Sequence, residues 1–231
     1  MGMTKTELKQ NITKITQILQ SESYEAGFEL LKTLDEPELT AGLSDIIDTT
    51  LREKYFKENA LEEGLEIAGI LQLTELDLSS LGLTTLRFKS KPNPLNNLIH
   101  LTKLNLRDNK LKSLPPQIGD LKRLNDLNLS YTKLSNVDIL ANLTNLTSLD
   151  LGSCHSLQNV DGLANLTKLT SLYLWSCSSL QNVDGLANLT NLTSLDLRSS
   201  SSLQNVDGLA NCTNLTSNFL YETPLGQIIC Y

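Results

Sequence analysis

The strongest constraint on this 231-residue chain is a leucine spacing, L-x-x-L-x-L, that recurs along most of its length. Six intact copies start at Leu73, Leu101, Leu124, Leu146, Leu169 and Leu192. A degraded seventh copy keeps Leu215 and Leu220 but has Asn218 where a leucine belongs. The string SLQNVDGLAN occurs unchanged at 156–165, 179–188 and 202–211. Self-similarity at a nearly constant period indicates a solenoid of stacked repeats.

Each L-x-L segment predicts a short strand whose leucines point inward, because alternate side chains of a strand face opposite sides. One turn of chain can bury its leucines only against the turns above and below it, so the strands are expected to form one parallel sheet. The return path of the fourth copy carries Leu157, Val160, Leu163 and Leu166. A spacing of three suits short 3-10 or single-turn segments.

These residues resemble the leucine-rich-repeat family over roughly 73–231. The wording LANLTNLTSLDL is most similar to bacterial internalin-type repeats, and the LPPQIG segment at 114–119 is similar to a slightly different variety. The resemblance implies an α/β solenoid, the leucine-rich-repeat horseshoe. Its parallel sheet lines the concave face, and short 3-10 or helical returns form the convex face.

The chain is expected to divide into two regions. Residues 71–231 form the leucine-rich-repeat domain of about seven repeats, the last one incomplete. Residues 1–70 form a helical N-terminal capping region, because Leu8, Ile12, Ile15 and Leu19 recur at helical spacing and a solenoid must cover its terminal leucines. An independent binding module is the alternative for this region.

One position of the family pattern, usually asparagine, satisfies buried backbone groups at the turn after each strand. Only Asn109 keeps it here. The other copies have Leu81, Thr132, Cys154, Cys177, Ser200 and Thr223. Hydroxyl and thiol groups can replace the amide more weakly, but a leucine cannot, so we expect the first repeat to be irregular.

Charge and targeting signals narrow the functional classes. The net charge is −7, which disfavours nucleic acid as a partner. Residues 87–133 nevertheless hold 10 basic and 3 acidic side chains, either a solvated surface or a patch that attracts an acidic partner. A polar N-terminus without a secretion signal and the lack of a membrane-length apolar run lead us to expect a cytoplasmic location with no membrane contact.

Catalytic and metal chemistry find little support. Cys154 and Cys177 share one repeat position, which favours buried structural thiols. A metal site formed with His155 is the alternative, but it would lack a fourth ligand. Asp138, Asp161, Asp184 and Asp207 form a column that predicts N-caps of the return segments, with a calcium ladder as the alternative. No phosphate loop or hydrolase motif occurs, so we predict no enzyme activity, no cofactor and no metal.

The outward positions around each L-x-L make the surface that this family generally uses for binding. Aromatic and charged side chains collect there, and such residues dominate protein interfaces. We predict a partner-binding surface of Tyr131, Asp150, Tyr173, Trp175, Asp196, Arg198, Phe219 and Tyr221, with a secondary basic patch of Lys103 and Arg107. The register brings Trp175 beside Arg198. Chance substitution at loosely constrained positions is the competing interpretation.

The sequence therefore predicts a non-catalytic protein–protein interaction scaffold that binds a protein partner on the concave surface. A secreted, internalin-like bacterial effector that binds a host protein is one alternative, and the recognition part of a larger signalling protein or enzyme is another. The seventh repeat stops before its return path is complete, so either the chain ends uncapped or it is part of a longer protein. An open sheet edge of this kind predicts a possible homodimer.

Overall fold

A computed structural model describes residues 73–86, 95, 98–216 and 222–225 of the chain. Within these residues six three-residue strands pair in parallel, in chain order, to form one sheet. They are β1 (Glu75–Asp77), β2 (Lys103–Asn105), β3 (Asp126–Asn128), β4 (Ser148–Asp150), β5 (Ser171–Tyr173) and β6 (Ser194–Asp196). The predicted helical cap at 1–70, the seventh strand, Phe219 and Tyr221 lie outside the described residues.

Strand register follows the leucine spacing. The central leucines Leu76, Leu104, Leu127, Leu149, Leu172 and Leu195 are aligned across the sheet, and all six are buried. A parallel strand needs a crossover before it can pair again, and here the return path of each repeat supplies it. The predicted parallel solenoid is confirmed.

The return paths contain short 3-10 segments, as the spacing of three predicts. They span Pro116–Asp120, Asp138–Asn142, Asp161–Leu163, Asp184–Leu186 and Asp207–Leu209. Leu157, Val160, Leu163 and Leu166 of the fourth repeat are all fully buried. The core is therefore a column of leucine layers between the sheet and the return paths.

The aspartate column does not cap these segments, so that prediction was wrong. Asp184 is the first residue of its 3-10 segment, and its carboxylate makes no capping hydrogen bond. Instead the Asp184 backbone N–H donates to Oδ1 of Asn182 at 3.2 Å. The same bond from an asparagine two residues earlier recurs at Asp138, Asp161 and Asp207. Asparagine and aspartate are comparable caps, and the segment begins at the aspartate itself, one residue earlier than predicted.

The buried turn position acts as expected. Asn109 donates from Nδ2 to the carbonyls of Leu78 and Leu106, both at 2.9 Å, and its Oδ1 accepts the N–H of Leu83 at 2.9 Å. The asparagine of the second repeat thus binds backbone groups of the first, where Leu81 cannot.

Later repeats replace the amide with single donors to strand carbonyls. Cys177 Sγ donates to the Leu151 carbonyl at 3.2 Å, and Ser200 Oγ donates to that of Leu174 at 2.9 Å.

Candidate functional site

The solvent side of the sheet, opposite the leucine core, carries those predicted binding residues that the structure describes; we call it the exposed sheet face. Its last strand position holds an aspartate or asparagine in five of the six described repeats: Asp77, Asn105, Asn128, Asp150 and Asp196. In each of them Oδ1 accepts the backbone N–H two residues later, at 2.8–3.1 Å. These polar residues therefore have a local structural task, which is to hold the turn that follows the strand.

Tyr173 breaks this column. It occupies the last position of β5, in register with Asp150 on one side and Asp196 on the other. A tyrosine cannot accept the turn hydrogen bond from that position, so the turn does not explain its presence. Tyr173 is half-buried on the exposed sheet face, with a carboxylate-bearing residue on each side.

Trp175 lies two residues beyond β5 and packs across the neighbouring repeat. A Cβ placed on Gly152 would come within 2.2 Å of the indole atoms Cε2 and Nε1 of Trp175. The ring therefore fills the space that a side chain at position 152 would need. Gly152 is the residue that lets the indole pack against the fourth repeat.

The indole then reaches the third repeat, where it meets Tyr131. The two ring centroids are 5.2 Å apart with an interplanar angle of 69°, an edge-to-face arrangement that aromatic pairs favour. Tyr131 has a φ of 57°, in the left-handed region that bulky residues rarely adopt. Six other non-glycine residues of the described chain have a similar positive φ, and all of them are serine, aspartate or glutamate. Tyr131 is 43% exposed.

Arg107 extends this group to the second repeat. Its guanidinium carbon lies 4.4 Å from the Tyr131 ring centroid, a cation–π contact, and its Nη1 donates to Ser130 Oγ at 3.3 Å. Arg107, Tyr131, Gly152 and Trp175 thus form a continuous chain of contacts over four consecutive repeats. We call these four residues the aromatic array.

The two aspartates beside Tyr173 differ in their partners. Arg198 binds Asp196 with two hydrogen bonds, from Nε at 2.9 Å and from Nη2 at 2.6 Å. The guanidinium predicted to lie beside Trp175 is therefore directed to Asp196 of its own repeat. Burial raises the pKa of Asp150 above its ordinary value, an effect that the Gly152 N–H, the more distant Arg107 and the Ser130 hydroxyl oppose only partly.

The predicted basic patch is divided between two contacts. Lys103 Nζ lies 2.7 Å from Glu75 Oε1 across the β1–β2 pair, and this bond and charge raise the pKa of Lys103. Arg107 belongs to the aromatic array. The two cations share β2 and the turn after it, but each is engaged by a neighbouring repeat, so they do not present a free basic surface together.

Two residues of this surface were not among the predicted ones. Gly152 has no side chain, and Ser130 is fully buried, where it accepts from Arg107 and donates to Asn128 Oδ1 at 2.7 Å. A signal for Gly152 was present in the sequence, since it stands at the repeat position of Trp175 and Arg198. A glycine at the position next to a tryptophan in the neighbouring repeat leaves room for the indole ring to pack.

Other chemistry finds no support in the described residues. Across 73–86, 95, 98–216 and 222–225, no group of three or more His, Cys, Asp or Glu side chains is placed to hold a metal ion. Cys154, Cys177 and Cys212 are buried free thiols, and burial raises the pKa of each. In the same part of the chain no helix is long and apolar enough to cross a membrane.

A family model described as a leucine-rich repeat region matches residues 68–218. An internalin of Listeria monocytogenes is 28% identical, with a TM-score of 0.52 over 67% of this chain and 41% of that one. The functional domain of InlJ from the same organism, which includes a cysteine ladder, is 26% identical, with a TM-score of 0.54 over 65% of this chain and 30% of that one. The chain thus spans less than half the length of either structure. No curated protein matches it significantly in sequence.

Proposed function

Since this chain belongs to the leucine-rich-repeat family, we propose that it is a non-catalytic interaction scaffold that binds a protein partner on the exposed sheet face. The aromatic array, Tyr173 and the neighbouring aspartates form the centre of the proposed surface. Internalin-type relatives share the fold on which this surface is built.

One observation carries the proposal: where the repeats are nearly identical, they differ on this face. The successive 23-residue units 143–165, 166–188 and 189–211 differ at only five positions. Two of the five are the outward positions occupied by Asp150, Tyr173 and Asp196 and by Gly152, Trp175 and Arg198. The second of these is the only position at which all three units differ.

Of the other three differing positions, one is buried (Cys154, Cys177 and Ser200) and two are exposed (Asn145, Lys168 and Asn191; His155, Ser178 and Ser201). The remaining exposed positions are identical. Gln158, Gln181 and Gln204 are exposed on the return path and are identical, as are the exposed Thr147, Thr170 and Thr193 before the strands. The threonine hydroxyls donate to carbonyls of the preceding repeat, so the stacking of the repeats constrains them, whereas the glutamines are simply exposed. The sheet face holds the one position at which all three units differ, and this favours a function for that face over loose constraint.

The physical character of the surface supports the same conclusion. Tryptophan, tyrosine and arginine supply most of the binding energy at protein interfaces. Here they are held by one another before any partner arrives, so little side-chain entropy remains to be lost on binding. Arg107, Tyr131 and Trp175 are fixed by the contacts described above.

The test is affinity capture from cells of the native organism with three forms of the protein: wild type, Trp175→Ala and Gln181→Ala. Gln181 is exposed on the return path of the repeat that carries Trp175, so it is the matched control. Loss of a central aromatic contact of about 2 kcal/mol weakens binding about 30-fold. We expect a partner captured by the wild type and by Gln181→Ala to be lost with Trp175→Ala. Equal capture by all three folded proteins would refute the assignment of the surface.

A further inference from the structure

We propose that Asp150, Tyr173 and Trp175 form a receptor for one arginine side chain of the protein partner. This inference rests on the proposed function, because it specifies the partner's chemistry at the same surface. It is carried by a comparison between two repeats, by the aromatic ring that lies on Gly152 and by an arginine–aromatic contact that the molecule already makes.

The sixth repeat shows a complete form of the motif. Asp196 accepts the backbone N–H of Arg198 and also binds its guanidinium through both carboxylate oxygens. The fourth repeat has the same aspartate with the same turn bond, from Gly152 N–H to Asp150 Oδ1 at 2.8 Å. The residue that would correspond to the arginine, however, is Gly152. Asp150 therefore keeps the acceptor of the motif without its internal cation.

The walls around Asp150 suit a guanidinium. Trp175 lies directly on Gly152, and Tyr173 is the register neighbour of Asp150 on β5. Strand neighbours are about 4.8 Å apart, so Tyr173 stands within side-chain reach of the Asp150 carboxylate. Arg107 stacked on Tyr131 at 4.4 Å shows that this surface binds a guanidinium on an aromatic ring. An incoming arginine would bind a carboxylate, as Arg198 binds Asp196, and would also stack on an aromatic ring, as Arg107 stacks on Tyr131.

Of the two aspartates beside Tyr173, Asp150 is the one to which no arginine is bound within the described part of the chain. Arg198 engages Asp196, whereas no ion pair within 4.0 Å involves Asp150 among the described residues. Burial raises the pKa of Asp150; the Gly152 N–H, the charge of Arg107 and the Ser130 hydroxyl oppose this shift only in part, and the charge of Asp196 adds to it. A carboxylate that is partly removed from water is stabilised by an opposite charge more strongly than an exposed one.

The geometry favours arginine over lysine. A planar guanidinium can donate two parallel hydrogen bonds to a carboxylate and stack on an aromatic ring, whereas an ammonium is a compact and strongly hydrated point charge. The Asp196–Arg198 pair shows the two-bond geometry at the equivalent aspartate. We therefore expect discrimination between the two cations as well as against neutral groups.

The probes are three tripeptides with blocked ends, Gly-Arg-Gly, Gly-Lys-Gly and Gly-citrulline-Gly, the last a neutral analogue of the first. Trp175 is the only tryptophan of the chain, so its fluorescence reports binding at this place alone. We expect a saturable change with Gly-Arg-Gly, with at least about fivefold weaker binding of the lysine and citrulline peptides.

Two variants locate the effect. Asp150→Asn keeps the turn acceptor, since Asn105 and Asn128 make the same bond in this sheet, and it removes the charge. Asp161→Asn makes the same charge change on the return path of the same repeat. We expect Asp150→Asn to weaken Gly-Arg-Gly binding at least about fivefold and Asp161→Asn to leave it unchanged. Equal affinity in both variants, or equal binding of arginine and citrulline, would overturn the receptor.

This result is separable from the proposed function. Partner capture that depends on Trp175 but not on Asp150 would reject the arginine receptor and retain the interaction surface. Capture that is independent of Trp175 would reject the surface itself.

Discussion

Two glycine substitutions distinguish the stacking of the repeats from the placement of Trp175. Gly152 and Gly185 both stand where a Cβ would meet atoms at an impossible distance. At Gly185 these atoms are backbone: the Val160 carbonyl oxygen at 2.3 Å, its carbon at 2.6 Å and Asp161 Cα at 2.7 Å. At Gly152 they belong to the indole of Trp175, at 2.2 Å. The two clashes are nearly equal in distance and differ only in what must move.

For Gly185→Ala the neighbouring 3-10 turn must retreat by about 1 Å to reach an ordinary contact. The same close approach recurs at Gly162 and Gly208, so each turn is packed against the next, and retreat opens the leucine column. Overpacking of a core costs about 1–3 kcal/mol when side chains can yield. Because backbone must yield here, we expect a loss in the free energy of unfolding of about 3 kcal/mol or more.

For Gly152→Ala the indole can swing away into solvent. The lost edge-to-face contact with Tyr131 costs about 0.5–1.5 kcal/mol. The backbone of Gly152 does not have a positive φ, so alanine is tolerated there, and a stiffer unfolded chain returns about 0.4–1 kcal/mol. The net change in the free energy of unfolding is therefore expected to stay within about 1 kcal/mol.

Urea unfolding followed by circular dichroism measures both stabilities, and the fluorescence of the single tryptophan reports the ring. We expect Gly152→Ala to shift Trp175 emission to longer wavelength with nearly unchanged stability. Gly185→Ala should be strongly destabilised. The packing argument fails if Gly185→Ala unfolds within about 1 kcal/mol of the wild type, or if the two variants lose equal stability.

Three further predictions address the caps, the thiols and the buried charge. Asn182→Ala should reduce the free energy of unfolding by about 1 kcal/mol, and Asp184→Ala by clearly less, in the same urea assay; the reverse order would contradict the capping role of Asn182. Cys154 and Cys177, buried and with raised pKa values, should resist iodoacetamide at pH 8 in the native state and react after unfolding, as peptide mass spectrometry would show. Asp150→Asn should stabilise the protein at pH 7, because burial raises the pKa of the carboxyl and its charged form disfavours folding. This gain should shrink as pH falls through the raised pKa towards the ordinary carboxyl pKa of 3.8, and a gain independent of pH would contradict it.

The leucine spacing was sufficient to predict the strands, their parallel register and the 3-10 returns. A repeat has few ways to bury leucines that are spaced first by two and then by three residues. The strand positions between these leucines are therefore aligned across the sheet, as predicted. The aspartate column shows where such reasoning stops. Asn182 and Asp184 are both good caps two residues apart, and only the observed start of the 3-10 segment decides between them.

The candidate surface was predictable as a set of positions but not as a set of contacts. The spacing placed Trp175 and Arg198 on one face, yet their side-chain directions depend on neighbours that the spacing does not reveal. Trp175 turns towards the third repeat because Gly152 leaves room, and Tyr131 meets it from a left-handed backbone position. Arg198 turns to Asp196. Such choices arise from side-chain packing between repeats.

The most direct test of the central claim is site-specific photocrosslinking to the captured partner. A photoreactive phenylalanine analogue is placed at Tyr173 on the exposed sheet face and, in a matched protein, at Gln181 on the return path of the same repeat. We predict that the partner is crosslinked from position 173 and not from position 181. Crosslinking from 181 with none from 173 would contradict binding on the sheet face.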